Sequence, residues 1–268
     1  MPSHQHPTQA NRRQLLSWVC LLRLMPLGLW LKGADAAEPL QPEASALPAS
    51  ALLSYRLNGQ EKGIPYQASG ELRWQHNASA YDMRLSIKVF LLGSRQWRST
   101  GQITPAGLAP HRFSDDWRKG KTADFDRQAR RIVFSDNPQA VPLQDGAQDQ
   151  VSLYAQLAVA MAKAGGGLQP GSRLQIQTAT VRDALPWLLT LEQVETLQLD
   201  GRPLQASKWV ARRHPRDDAQ VAFWLSPEHD WLPARLRISQ ANGSFIDLHL
   251  TQREFLPGLP PSPAVLPE

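Results

Sequence analysis

Cysteine is almost missing: Cys20 is the only one in 268 residues. That excludes a disulfide framework and any site built from several thiolates. Charge of one sign is scarce as well. The formal net charge is +5, and residues 1–36 hold Arg12, Arg13, Arg23 and Lys32 against a single Asp35. Setting that +3 aside leaves +2 on the rest of the chain. The basic balance is therefore no argument for nucleic-acid binding. Long apolar runs are lacking too. Leu15 to Leu31 is apolar, but Arg23 divides it, and neither half is long enough to span a bilayer. No nucleophile elbow, zincin motif, P-loop or dinucleotide-binding glycine pattern occurs. What remains, 42% hydrophobic and 20% charged residues, is an ordinary globular balance that excludes a mainly disordered or fibrous chain.

Residues 1–36 read as an export signal. Arg12 and Arg13 precede the apolar stretch, and Ala34-Asp35-Ala36 fits cleavage after Ala36 or Ala37. Asn11-Arg12-Arg13-Gln14-Leu15-Leu16 also resembles a twin-arginine signal, so the export route stays open. Trp18-Val19 before Cys20 is poor for lipoprotein processing, which needs small residues there. Cleavage would remove the one thiol and deliver the chain to the periplasm, an oxidising compartment where a thiol-free chain cannot mispair. Membrane association is then expected to be only transient, or through an uncleaved leader. A Pro/Ala-rich linker is expected at 37–50, a single β-rich domain at 51–255, and a Pro-rich disordered tail at 256–268.

Period-2 alternation dominates the domain. In 80–89, Tyr81, Met83, Leu85, Ile87 and Val89 alternate with Asp82, Arg84, Ser86 and Lys88. Leu72 and Trp74, Leu174 and Ile176, Val221, Phe223 and Leu225, Leu236 and Ile238, and Ile246, Leu248 and Leu250 make similar faces. Each reads as an antiparallel strand with one wet and one buried face. Asn58-Gly59, Asp200-Gly201 and Asn242-Gly243 read as hairpin turns. The stretch 185–200 drifts out of phase, which predicts a bulge. Trp224 falls out of phase with Phe223 and Leu225, so it is expected to face solvent or a partner.

Residues 149–164 break the pattern. Val151, Tyr154, Leu157, Ala158 and Met161 form a helical stripe, Asp145 or Asp149 can cap its start, and Gly165-Gly166-Gly167 ends it. So few polar residues predict a buried helix. About ten strands laid flat would be ~48 Å wide at the usual strand spacing, far more than one helix covers. The sheet must curl. The expected fold is mainly β: a curved antiparallel sheet, half-barrel or barrel, of about ten strands packed around one buried helix at 149–164. The alternation does not separate the two forms. An apolar ligand would lie beside the helix, with Tyr154, Leu157 and Met161 as candidate contacts.

Chemistry-bearing residues are sparse. No two of His76, His111, His214, His229 and His249 lie at metal-ligand spacing, and no metal or cofactor is expected. His229-Asp230 beside Trp231 is the best acid/base pair, set against a polar turn feeding a strand. Asp115-Asp116 and Asp124-x-Asp126 are paired carboxylates among Arg112, Arg118, Lys119, Lys121 and Arg127, which fits a salt-laced hairpin. Arg212-Arg213-His214-Pro215-Arg216 reads as a solvated basic loop.

An ordered series of pieces resembles an exported proteobacterial family, the domain of unknown function (DUF) 3108. It begins with Gly107-Leu108-Ala109-Pro110-His111-Arg112-Phe113. Ala123-Asp124-Phe125-Asp126 and Ile132-Val133-Phe134 follow. Gln148-Asp149-Gln150-Val151-Ser152 with Gln156-Leu157 comes next, and Asp230-Trp231-Leu232-Pro233-Ala234-Arg235 closes the series. The resemblance runs from Leu53 to Phe255. It departs at Glu61-Lys62-Gly63-Ile64-Pro65, looser than the family's first turn. It implies an exported β-rich envelope protein and brings no activity, cofactor or catalytic residue. The expected function is a non-catalytic binder of an apolar or lipid-like ligand in the envelope. The alternative is a structural or adaptor protein binding envelope proteins. A hydrolase with a site assembled from distant residues such as His229 or Asp116 is the third reading.

Overall fold

A computed structural model describes residues 46–89, 93–117, 120–165, 167–199, 201–212 and 220–261. The chain divides into two units, Met1–Glu38 and Pro39–Glu268, and every described residue belongs to the second. The export signal expected at 1–36, most of the linker at 37–50, the basic loop after Arg212 and the tail beyond 261 lie outside the described residues.

The N-terminal half is a run of antiparallel hairpins: β1 (Ala51–Glu61), β2 (Ile64–His76), β3 (Ala80–Val89), β4 (Gly93–Thr104), β5 (Gly107–Asp115), β6 (Lys121–Asp126), β7 (Arg131–Phe134) and β8 (Asn137–Pro142). The two-residue β9 (Gln148–Asp149) and helix α1 (Ser152–Ala164) follow. A second run holds β10 (Arg173–Ala179), β11 (Ala184–Leu199), β12 (Arg202–Arg212), β13 (Gln220–Leu225), β14 (Pro233–Ser239) and β15 (Phe245–Phe255). Among the described residues fifteen strands form one sheet, against about ten expected. The excess is mainly in β6 to β9, which are too short for alternation to show. Two prolines, Pro138 and Pro142, further disguise β8, and they are tolerated because it is an edge strand.

The sheet order is β8-β7-β6-β5-β4-β3-β2-β1-β15-β14-β13-β12-β11-β10-β9. Each half is a meander, and pairing of β1 with β15 seams the halves. Ten strands stand between β5 and β9, which would hold them ~50 Å apart in a flat sheet. Instead Gln148 Nε2 donates to the Leu108 carbonyl at 2.8 Å, and Ser99 Oγ donates to Asp149 Oδ2 at 2.5 Å. The sheet therefore curls until its β9 edge reaches β4 and β5 through side chains. It is open by its ladder and bridged by side-chain bonds.

Helix α1 fills the interior. Leu153, Tyr154, Ala155, Leu157, Ala158, Val159 and Met161 are buried, and the Tyr154 ring lies 5.4 Å from that of Phe223 on the far side of the sheet. The helix starts at Ser152, not 149, because Gln148 and Asp149 pair with β10. Asp149 Oδ1 instead accepts the amides of Val151 and Ser152 at 2.9 and 2.8 Å, leaving fewer unpaired amides at the helix start. Gly165 ends the helix in the left-handed conformation.

Three local expectations meet different outcomes. The bulge expected in 185–200 falls between Leu191 and Gln193. Asn58-Gly59 is not a turn: it lies inside β1, and the chain reverses at Lys62-Gly63 between Glu61 and Ile64. A Cβ on Gly59 would collide with the Tyr66 ring, so this glycine serves packing. Trp224 does point to the face opposite Phe223, yet it is 4% exposed. Arg235 stacks over it at 4.3 Å, Lys208 at 5.7 Å, and Glu195 accepts its indole N–H. Leu256 to Pro260, expected as tail, are bonded to the sheet through Ser50, Gln75, His76 and Asn77.

Candidate functional site

The β11–β12 hairpin outruns its neighbour. β13 pairs with β12 only from Ser207 to Ala211, whereas the hairpin continues to Leu199 and Arg202. Beyond Ser207 its strands pair only with each other, yet Leu197 and Leu204 are buried, so the tip packs against something else. A cleft of about 460 Å³ lies there. One wall is the hairpin tip with Leu199, Arg202, Pro203 and Leu204; the floor is Leu250 to Arg253 of β15; Glu228 and His229 close the other side. The size suits a small organic ligand.

Two irregularities build this cleft. The first is the turn after β13. Ser226 Oγ accepts the Glu228 amide at 3.3 Å and Pro227 opens one 3-10 turn, Pro227–His229. Asp230 and Trp231 then both take positive φ, 51° and 62°. For a bulky residue such as Trp231 that is a strained conformation, held here by the hydrogen bond its amide donates to the Ser226 carbonyl at 2.8 Å. The turn presents His229 to the cleft and aims Asp230 at β15. The second is a register shift where Tyr55 faces Leu250 and Ser54 faces Gln252, which leaves Thr251 as the extra residue. Side-chain parity flips there. Leu248 and Leu250 face inward opposite Leu57 and Tyr55, and after the bulge Arg253, opposite Leu53, faces inward too.

Arg253 is the pivot of the cleft. Its side chain is only 9% exposed and donates to Asp230 Oδ2, which also accepts the Ala49 amide at 3.3 Å. The Phe255 ring lies 4.7 Å from the guanidinium carbon. The buried Arg253 Nε has no hydrogen-bond partner among the described residues. Burial, and then the Arg253 charge, push the His229 pKa below its ordinary value, while Glu228 and Asp230 oppose this. The imidazole is therefore neutral at pH 7. The cleft offers an apolar wall, a neutral ring, the Glu228 carboxylate and two guanidinium groups, one of them paired with Asp230, which is recognition chemistry.

A second polar cluster is sealed inside. Tyr81 Oη and Ser99 Oγ share a hydrogen bond at 3.0 Å, Ser99 bonds Asp149, and Ser152 Oγ accepts the Asp149 amide at 2.9 Å. Burial raises the Asp149 pKa to about 6 against the pull of these hydrogen bonds. Next to it, Gln156 Oε1 accepts the Leu108 amide at 2.8 Å and Gln148 takes the Leu108 carbonyl. The pieces Gly107-Leu108-Ala109-Pro110 and Gln148-Asp149 with Gln156 thus meet in one place. They lock β5 to β9 and α1, which is scaffold work.

The sequence candidates distribute as follows. His229 lines the cleft and Asp230 holds Arg253. Tyr154, Leu157 and Met161 are 6%, 0% and 3% exposed inside the core, and none lines the cleft. Asp115 is paired with Arg95, Asp116 accepts Gln96, Asp124 pairs with Arg112 at 3.0 Å and Asp126 with Arg131 at 3.5 Å. No group of three or more His, Cys, Asp or Glu that could hold a metal ion occurs among the described residues. None of those residues forms a helix long and apolar enough to cross a membrane. Arg253 and the hairpin wall are absent from the sequence reading. A lone arginine after alternating leucines carries no signal that a bulge turns it inward.

The profile of the family described as protein of unknown function, DUF3108, matches residues 55–251. No curated protein matches the chain. Among solved structures, it is similar to a β-barrel-like protein of domain of unknown function DUF1849 from Brucella abortus. That match has 10% identity and a TM-score of 0.52, covering 79% of this chain and 99% of that one. The complex of Pseudomonas aeruginosa MucA and MucB matches at 8% identity and a TM-score of 0.34, over 81% of this chain and 55% of that one. A DUF1329 family protein from Desulfovibrio piger matches at 7% and 0.32, over 80% and 88%. The first likeness is one of fold.

Proposed function

This chain belongs to the DUF3108 family, a family of unknown function, and from the geometry of its cleft we propose that it is a non-catalytic binding protein of the cell envelope for an apolar or lipid-like ligand. The observation that carries this reading is the cleft itself. Leu199, Pro203, Leu204 and Leu250 line one space of about 460 Å³. The ligand site moves from the helix to the outside of the core, because the helix face expected to receive it is packed. Export to the periplasm through the leader at 1–36, and cleavage after Ala36 or Ala37, complete the proposal.

The adaptor reading asks for a contiguous exposed apolar patch. Among the described residues the two most exposed large apolar side chains stand at opposite ends of β1 and its neighbours. Ile64 is 70% exposed beside Glu61, and Phe255 is 73% exposed beside Ala51. Leu185, Leu188 and Val194 are also exposed and share β11, so the preference for the binding reading rests on the cleft and not on dispersal of the exposed apolar residues.

The test is mass spectrometry of the full chain expressed with its leader and purified from the periplasm, native and then after solvent extraction. A reproducible apolar molecule at near-equal amount is the expected result, and Leu204→Asp should lose it. A clean apo mass, together with no saturable binding of the uncharged probe N-phenyl-1-naphthylamine, overturns the reading.

A further inference from the structure

We infer that the ligand is an amphipathic anion, an acyl chain ending in a carboxylate or phosphate, whose head sits between Arg202 and Arg253. The inference rests on the binding reading above and adds the chemistry of the head group.

Arg253 motivates it. Burying a guanidinium is costly unless its donors are matched. Here one carboxylate, Asp230, takes one end of the group, and Asp230 is itself shared with the Ala49 amide. The Nε donor stays unmatched in a side chain more than nine-tenths buried. An arginine has five donors in a planar fork suited to two-oxygen anions. Nε itself is closed off from the cleft, so an anion there would meet the rest of the Arg253 fork and Arg202, the two arginines that line it.

Charge and shape agree. Arg202, Arg253 and Glu228 line the cleft, Asp230 balances Arg253 and His229 is held neutral, so the cationic end is local to the two guanidinium groups and is not a net charge of the cleft. The cations stand at the hairpin tip and on the β15 floor, with Leu199, Leu204 and Leu250 alongside. An apolar tail beside a cationic end selects an amphiphile over a neutral hydrocarbon or a free ion. The bulge at Thr251 gains a purpose: without it Gln252, not Arg253, would follow Leu250 inward.

The experiment titrates the full chain with 11-(dansylamino)undecanoic acid and, separately, with uncharged N-phenyl-1-naphthylamine. It is repeated on Arg202→Gln and Arg253→Gln, with inorganic phosphate as competitor. The acid should bind tighter than the uncharged probe. Each arginine variant should weaken the acid roughly tenfold, as loss of a charge-assisted hydrogen bond implies, and leave the uncharged probe unchanged. Arg253→Gln deprives Asp230 of its partner and is liable to misfold, so exposed Arg202 is the deciding variant. If both probes bind and Arg202→Gln weakens neither or both alike, the head-group inference falls while the binding reading stands. If inorganic phosphate displaces the acid as well as a second fatty acid does, the site is a plain anion site and the amphiphile is wrong. If neither probe binds a folded protein, both fall together.

Discussion

At the scale of single residues, Asp149 is the group whose environment has the clearest consequence. It is fully enclosed, caps α1 and takes the Ser99 hydroxyl. Its pKa rises from 3.8 unfolded to about 6 folded, with burial as the leading cause. The folded state therefore holds a proton that the unfolded state releases. This group's contribution to stability is complete below about pH 4 and lost as pH rises through 6. The loss amounts to roughly 3 kcal/mol for a shift of this size. Urea denaturation of wild type and Asp149→Asn across pH 4 to 7 checks it. The amide keeps the acceptor for Val151 and Ser152 and can donate to Ser99, so the variant should gain on wild type as pH rises. A constant difference would show that Asp149 stays ionised throughout. His229 and Asp247 act in the opposite sense, since both have lowered pKa values, Asp247 through Arg235 and His249 overcoming its burial. Gly107 is the second case. Its φ is 120°, and a Cβ there would strike the Gln156 carboxamide that holds Leu108. Gly107→Ala should cost about 2–4 kcal/mol in a melting experiment through strain and loss of that bond, and Gln156→Ala should make the same substitution cheaper. The sequence exposed these residues as a family pattern but not their partners. A glycine, two glutamines and an aspartate become a lock only once β5 and α1 meet.

Among elements, the long β11–β12 hairpin decides whether a cleft exists. Shortening it by replacing Thr196–Gln205 with Asn-Gly joins Glu195 to Ala206, residues already paired, through a turn of the favoured type. The sheet below Ser207 keeps its β13 pairing, so circular dichroism should report an unchanged fold. Binding of N-phenyl-1-naphthylamine should disappear, and retention of full affinity would place the ligand elsewhere. The element scale is also where sequence reading served best. Alternation placed β3 at 80–89 and anticipated the bulge that splits β11. It failed where the signal is shared between roles. Asn58-Gly59 has turn composition but sits in β1 to admit the Tyr66 ring. Trp224 has solvent phase but is roofed by Arg235 and Lys208, which bury it with their stems and charge rather than with apolar neighbours. Of the candidate site, His229 and Asp230 were legible as a polar turn. Their partner Arg253 was not, because one extra residue in β15 reverses its face.

For the whole molecule, the governing feature is the seam. Within each meander every strand pairs with its chain neighbours, but β1 and β15 pair at the middle of the sheet, Ala51 opposite Phe255. No local pattern announces that pairing, which is why the alternation left barrel and half-barrel undecided. It also means that the two halves cannot join until the last strand is available. Closing so long a loop costs entropy before it gains contacts, and topologies rich in such contacts fold slowly. The seam is then expected to limit refolding. A circular permutant tests this: a short glycine-rich linker joins Phe255 to Ala51, and new ends open between Gly167 and Leu168, after α1. The linker turns β15–β1 into a hairpin with its register unchanged, at the cost of the bonds that Leu256 to Pro260 make to Ser50 and the end of β2, and of those that Pro48, Ala49 and Ser50 make to Trp74, His76 and Asp230. Stopped-flow refolding should be several-fold faster for the permutant, with little change in its unfolding rate if the seam already forms in the transition state. Equal refolding rates would move the slow step elsewhere, to the docking of α1 onto β5 and β9, where the same measurement on Gln156→Ala would then show it.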